Sequence, residues 1–464
     1  MRRAFVIPLF LCAAFAAIPV PAFASADQTM TFEAPRELLD DGTRDATLDE
    51  IQKLGVDHIR QLVYWHDFAP AADSSARPTF DAADPAAYPE GTWARLDRLF
   101  AAAGDRHISI QLTLTGPVPK WATKGHRDTV TEPDPTEFGA FATAVGRRYG
   151  DRVSLWSIWN EPNHPDFLKP QYRNGKPASP AIYRKLFQAG AKGLRSSGNQ
   201  GDKILMGETA PIGNTHLVKP LAFMRDALCL NARWHKSAHC GTLDADGYAH
   251  HPYTKRSGPR YKPPSKDDVT IGVVARLVHA LDRASKAGAL RHGQGVYLTE
   301  FGVQSTPDPF VGVSLTRQAE YIGIAEQIAF SNPRVKSFSQ YLLADDPPRP
   351  GPRIARYSGF ETGLRASNGK PKPAYDAFRL PLVVSDYGRS DVIWGRVRPY
   401  PHQTSVALQI SASSGKSWRD YKTVQTNSAG VYGLKVPHVS GRRYRAVWTS
   451  PNGQLFTGPP IRAY

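Results

Sequence analysis

A repeating switch of hydrophobic period constrains this chain more than any other feature. From Gln28 to about Leu380, short runs alternating every second residue are interleaved with runs whose apolar residues recur at helical spacing. That is the pattern of a parallel α/β fold in which each strand is followed by a helix. Eight strand candidates fall in order at Thr29 to Phe32, His58 to Tyr64, Ile108 to Thr115, Leu155 to Asn160, Ile204 to Gly207, Gly247 to His251, Val296 to Thr299 and Ser337 to Leu342. In the third, Ile108, Ile110, Leu112 and Leu114 alternate with Ser109, Gln111 and Thr113, which predicts apolar groups toward surrounding helices and polar ones inward. Between the last two strands, Leu315, Ala319, Ile322, Ala325 and Ala329 keep helical spacing until Asn332-Pro333 stops the run.

Eight such units suit a closed barrel better than an open doubly wound sheet, which usually has fewer strands and a glycine-rich phosphate loop after the first. No such loop is present. A (β/α)8 TIM barrel is therefore expected over residues 25–380. After Pro381 the helical period disappears, and runs such as Ser405 to Ile410, Val431 to Val436 and Tyr444 to Thr449 are separated by Gly, Ser, Asn and Pro. This reads as a small all-β sandwich over 381–464. The absence of a long Ser/Gly linker predicts that it packs against the barrel.

The first residues bear on location. Met1-Arg2-Arg3, an apolar run from Phe5 to Val20 and small residues at Ala22-Phe23-Ala24 form the three-part pattern of a cleavable secretory leader over 1–24. The run contains Pro8 and Pro19 and falls short of the roughly 20 apolar residues that span a bilayer. A secreted or cell-envelope protein is the expectation, without an integral membrane segment in the mature chain. Loss of Cys12 with the leader would leave Cys229 and Cys240, an even pair bound for an oxidising compartment, and a disulfide between them is the simplest reading. The net charge of +16 admits a nucleic acid, an acidic polymer or an anionic surface as partner. With an export pattern and no nucleic-acid motif, a polymer or the envelope is favoured.

In a parallel barrel, catalytic groups stand where strands stop at the C-terminal face. The fourth run ends in Trp159-Asn160-Glu161-Pro162-Asn163 and the seventh in Leu298-Thr299-Glu300-Phe301-Gly302. A carboxylate directly after an apolar strand is costly unless it faces the open mouth of the barrel. One such Glu is most simply a structural ion pair. Two meeting in one cleft form the chemical minimum for glycoside hydrolysis, one to protonate the departing oxygen and one to attack the anomeric carbon. Like-charge repulsion between neighbouring carboxyls favours one ionised and one protonated member.

At these residues the chain resembles clan A of the glycoside hydrolases, whose members place an acid/base and a nucleophile glutamate at the ends of strands four and seven. The resemblance implies Glu161 as acid/base, Glu300 as nucleophile and Asn160 as a ligand of the sugar 2-hydroxyl. The run Asp246-Gly247-Tyr248-Ala249-His250-His251-Pro252-Tyr253 is similar to a segment of family 39 and its neighbours, which implies that Tyr253 hydrogen-bonds the nucleophile with His251 beside it. Arg60 resembles the arginine some clan members use to keep the nucleophile ionised. Its other reading is a structural ion pair within the barrel.

Trp65, Trp121 and Trp159 lie near strand ends, where they serve either as sugar platforms or as packing. Glu208, ending the fifth run, and Gln340 and Tyr341, on the eighth, are further candidates for binding hydroxyls. No cofactor is implied. His250 and His251 with Glu208 offer the ligand types of a metal site, but adjacent strand residues face opposite ways. The expected function is a retaining hydrolase of β-glycosidic bonds in an oligo- or polysaccharide. The alternatives are a carbohydrate-binding barrel without turnover, acting as a surface lectin, and a metal-dependent hydrolase on the same fold. Lys255, Arg256, Arg260, Lys262 and Lys266 follow the sixth strand and read either as solvated surface or as a site for an acidic polymer.

Overall fold

The computed structural model describes residues 27–400, 402–412 and 415–463. The expected leader and Cys12 lie outside these residues. Eight parallel strands close into a barrel: β1 (Thr29–Glu33), β2 (His58–Tyr64), β3 (Ser109–Thr115), β4 (Leu155–Ile158), β5 (Lys203–Thr209), β6 (Gly247–His250), β7 (Gly295–Leu298) and β8 (Val335–Tyr341). Each pairs with its sequence neighbours, and β1 closes on β8 in the register Thr29 to Ser337 through Glu33 to Tyr341. All eight expected strands are present, with ends shifted by one or two residues.

The alternation in β3 works as its period dictates. Ile110, Leu112 and Leu114 join the core shared with the helices, while Gln111 and Thr113 point inward, where Gln111 donates to Ser157 Oγ at 3.1 Å. The helix Leu315–Phe330 begins with Ser314 Oγ accepting from the Arg317 amide at 3.3 Å and buries Ala319, Ile322, Ala325 and Ala329. Cys229 and Cys240 are bonded, stapling the segment that leads into β6. Among the described residues no helix is long and apolar enough to cross a membrane.

The C-terminal strands form two antiparallel sheets around their own core. One contains β9 (Leu382–Asp386), β10 (Ser390–Arg396) and β13 (Val431–Pro437). The other contains β11 (Ser405–Ser411), β12 (Arg419–Gln425), β14 (Arg443–Thr449) and the short β15 (Leu455–Thr457) and β16 (Ile461–Arg462). Leu408, Tyr432, Tyr444 and Trp448 fill the space between them. Val383, Trp394 and Val431 instead extend the barrel core, so the sandwich is docked on the barrel.

A buried ion pair fixes that junction. Glu326, on the helix before β8, accepts from both terminal nitrogens of Arg398, at 2.9 Å from Nη1 and 2.6 Å from Nη2, and neither side chain exceeds 3% exposure. Burial pulls Arg398 down to about 10 against the opposing pull of Glu326. Removing one partner would strand the other's charge in the interior. Glu326→Ala should therefore lower unfolding free energy by about 3–5 kcal/mol, measured by chemical denaturation. A loss under about 1 kcal/mol would place the pair among solvent-screened surface bridges.

Candidate active site

The backbone turns sharply where the two expected carboxylates emerge. β4 stops at Ile158 because Trp159 and Glu161 adopt left-handed conformations, with φ of 72° and 40°. Glu208 at the end of β5 does the same, with φ of 48°, and the register with β6 slips between Gly207 and Thr209. Gly207 permits this slip, since its φ is 108° and a Cβ there would stand 2.5 Å from the Ala249 carbonyl. The Glu161 amide then donates to the Glu208 carbonyl at 2.8 Å, tying the two strand ends together. Left-handed backbone at non-glycine residues is costly and persists where surrounding structure fixes it.

These turns aim several groups into one cavity of about 410 Å³, lined by Glu33, Tyr64, Asn160, Glu161, His164, Phe167, Tyr253, Glu300, Gln304, Tyr341 and Thr362 among others. An oxygen of Glu161, an oxygen of Glu300 and a ring nitrogen of His251 all lie within 4.8 Å of one another. The two carboxylates keep 16% and 12% of their side chains exposed, while everything beneath them is closed off.

Arg60 forms the floor. Its guanidinium is fully buried and directs all five N–H groups at acceptors: Thr113 Oγ1 at 3.1 Å, Glu33 Oε1 at 2.8 Å, Glu300 Oε1 at 3.0 Å, Asn160 Oδ1 at 2.8 Å and Glu208 Oε2 at 3.2 Å. Tyr253 donates to the other oxygen of Glu300 at 2.8 Å. His251 bridges the acidic groups, with Nδ1 2.9 Å from Glu161 Oε1 and Nε2 2.7 Å from Glu208 Oε2. Thr299 donates a further short bond to Glu208.

The charges of this cluster follow from its burial. Desolvation alone would strip the proton from His251, but the carboxylates of Glu300, Glu161 and Glu208 outweigh it and raise the imidazole to about 10. Burial would raise Glu208, yet Arg60 and then His251 bring it down to about 2. Glu33 goes the other way: burial raises it to about 8, despite Arg60. Near neutral pH the floor therefore holds two cations, Arg60 and His251, one anion, Glu208, and a neutral Glu33.

In the trio of Glu161, His251 and Glu300, both ring nitrogens of His251 are already engaged by carboxyl groups, Nδ1 by Glu161 and Nε2 by Glu208. A second grouping, Asp386, Asp391 and His438, lies on the sandwich. There His438 and Tyr444 already donate to the two oxygens of Asp391, each at 2.8 Å.

Several residues singled out from the sequence stand apart from the cavity. Trp65 is fully buried, because the turn Trp65–Phe68 folds it back to stack on Phe141 with ring centres 5.6 Å apart. Trp121 packs edge-on against Trp65 and borders a different recess, and Trp159 donates inward to the Phe167 carbonyl. None is a sugar platform in the cavity. Gln340 is spent on the carbonyls of Tyr341, Leu342 and Thr362, whereas its neighbour Tyr341 faces the cavity. Arg60, Glu208 and His251 lie beneath the lining and can act only through the groups above them. Asn160 does reach the cavity; Arg60 occupies its oxygen, which leaves the amide NH2 for a ligand. Lys255, Arg256, Arg260, Lys262 and Lys266 are exposed and absent from the lining; Lys255 lies over Tyr261, and Arg260 reaches Ser385 on the sandwich.

Glu33, Gln304 and Thr362 were not found from the sequence. Glu33 alone carried a signal, a carboxylate directly after the first β-run, which is the criterion that located Glu161 and Glu300. Gln304 and Thr362 lie in loops without periodicity.

No family model and no curated protein matches the chain. Among solved structures it is similar to a family 39 glycoside hydrolase from Bacteroides cellulosilyticus, at 16% identity over 89% of this chain and 81% of that one, with a TM-score of 0.51. It is also similar to GH5_18 from Streptomyces cattleya in complex with GlcNAc, at 18% identity over 76% of this chain and 79% of that one, again with a TM-score of 0.51. At these identities the likeness is one of fold.

The state of His251 has a measurable consequence. Its folded value of about 10 exceeds the ordinary 6.5, so the stability it adds is fully present below pH 6.5 and is lost as pH rises to about 10. The unfolding midpoint of the protein should fall more steeply across that window than that of His251→Asn. Parallel slopes would mean that the buried ring is neutral.

Proposed function

We propose that the protein is an exported retaining glycoside hydrolase that cleaves β-linked oligo- or polysaccharides by double displacement, with Glu300 as nucleophile and Glu161 as acid/base. The observation that carries this reading is the approach of their carboxyl oxygens to within 4.8 Å across one cavity. Retaining enzymes hold the two carboxyls about 5–5.5 Å apart for direct attack, while inverting ones separate them by roughly 6.5–9.5 Å to admit a water.

The hydrogen bonds to the pair support the division of labour. Arg60 and Tyr253 each donate to one oxygen of Glu300, orienting it as the attacking carboxylate. His251 donates to Glu161, which can release its proton while the imidazolium stabilises the charge left behind.

In the first half-reaction an oxygen of Glu300 bonds to the anomeric carbon, the glycosidic bond breaks, and the proton of Glu161 goes to the departing oxygen. In the second, Glu161 takes a proton from water, the resulting oxygen attacks the same carbon, and the ester to Glu300 breaks. The amide of Asn160 is placed to hold the sugar 2-hydroxyl. The fold shared with the two solved structures agrees with this chemistry, but the site argues for it, since one fold hosts many activities. Export is supported by the leader pattern and by the Cys229–Cys240 bond. The exposed cations Lys255, Arg256, Arg260, Lys262 and Lys266 lie outside the cavity, so an acidic polymer would meet them away from the reacting bond.

Glu161→Ala and Glu300→Ala should each lower kcat by about 10³-fold or more while the protein stays folded. With an activated aryl glycoside, azide should partly restore Glu161→Ala and yield a β-glycosyl azide. Wild-type turnover in either variant would overturn the assignment. Binding of sugars by a wild type that hydrolyses none would make the protein a lectin.

A further inference from the structure

Three residues that line the catalytic cavity each bury a polar side-chain atom without a hydrogen-bond partner among the described residues: Glu33 Oε2, Gln304 Oε1 and Thr362 Oγ1. A buried polar group left unpaired costs free energy, so three bordering one cavity call for a ligand that satisfies them. Each is pinned by its remaining contacts. Arg60 holds the other oxygen of Glu33 at 2.8 Å, Gln304 donates to the Gly359 carbonyl at 3.1 Å, and the Thr362 carbonyl accepts from Gln340 at 3.0 Å. They are preorganised groups, each with one free position.

Their place in the fold says which part of a substrate they meet. Glu33 ends β1, Gln304 follows β7, and Thr362 lies in the loop after β8. All three therefore border Glu300, which keeps the sugar ring during the reaction. The loop that continues from Glu161 through His164 and Phe167 borders the opposite side, where the leaving group must stand to receive its proton.

We infer that Glu33, Gln304 and Thr362 form a recognition set for the hydroxyls of a neutral sugar on the nucleophile side of the cavity, and that this set discriminates against uronic acids. The inference rests on the glycosidase reading and specifies its substrate class. Discrimination follows from how the cations are used. A sugar carboxylate would place a second negative charge beside Glu300, which requires a cationic donor. All five N–H groups of Arg60 and both of His251 are already directed at protein acceptors, and among the described residues no Lys or Arg lines the cavity. Glu33 suits the neutral alternative. Burial keeps it protonated near neutral pH, so Oε2 offers an O–H to a sugar oxygen without adding charge.

The test compares aryl β-glycosides of neutral hexoses, their single-deoxy analogues and the corresponding uronides on the full protein. The wild type should favour one or more neutral glycosides over the matched uronides by about 100-fold in kcat/KM, because a site built to hydrogen-bond hydroxyls rejects analogues that leave its groups unpaired. Glu33→Ala should erase the penalty for removing one particular hydroxyl and leave the penalties at the other positions intact. Glu33→Gln, which can still accept from Arg60 and present an N–H to the cavity, should retain that penalty. Thr362→Val, nearly isosteric and remote from Arg60, should erase the penalty at a different hydroxyl, so the inference stays testable if Glu33→Ala does not fold. Uniform losses across all substrates would reduce these residues to structural ones and overturn the inference while leaving the glycosidase reading in place. Equal turnover of uronides and neutral glycosides would overturn it as well. A wild type that hydrolyses no glycoside would fail the underlying reading first.

Discussion

The site depends on one guanidinium kept out of water. Arg60, on β2, joins residues at or near the C-terminal ends of β1, β3, β4, β5 and β7 through five hydrogen bonds, so the strands are related there by polar contacts as well as by the barrel ladder. An isolated buried cation would be prohibitively costly. Here it is tolerable because Glu208 is ionised beside it, Glu300 and Glu33 share one of its nitrogens, and the remaining acceptors are neutral. Arginine suits this position better than lysine. Its planar fork keeps its charge on burial and addresses several acceptors in fixed directions, which a single ammonium cannot do.

From that constraint the remaining charges follow. With Arg60 in place Glu208 stays anionic, and His251 holds both of its protons between Glu208 and Glu161. The imidazolium then fixes Glu161 relative to Glu300, although the two come from strands on different sides of the barrel. Glu33, the fourth carboxyl, resolves the same electrostatic problem by taking up a proton. Such a network is stable only as a whole, since each charge compensates another. The left-handed turns at Glu161 and Glu208 are part of it, since the two side chains that His251 bridges both leave the backbone there.

What the sequence revealed and what it hid divide along physical lines. Burial on one face imposes a period of two on a strand and of about 3.6 on a helix, so the eight strands and the helix Leu315–Phe330 were readable to within a residue or two. Glu161 and Glu300 were readable because a carboxylate after an apolar run is conspicuous, and the pairing of Tyr253 with Glu300 followed from a resemblance. The orientation of single side chains was not readable. Trp65 follows β2 directly and reads as a rim residue, but one helical turn folds it into an aromatic cluster with Phe141 and Trp121. Gln340 and Tyr341 are adjacent, and only one faces the cavity, because neighbouring strand residues point apart. Glu33 satisfied the carboxylate criterion but belonged to no motif, and its importance appears only once β1 closes on β8 and sets it over Arg60.

Double displacement requires a covalent bond to one oxygen of Glu300, and that bond can be observed. A 2-deoxy-2-fluoro glycoside with a good leaving group slows both half-reactions, the second more, so the intermediate accumulates. Intact-protein mass spectrometry followed by peptide mapping should then find one sugar per chain, esterified to Glu300 and absent from Glu300→Ala. A label on any other residue, or a substrate consumed with inversion at the anomeric carbon and no labelled protein, would contradict the double displacement proposed here.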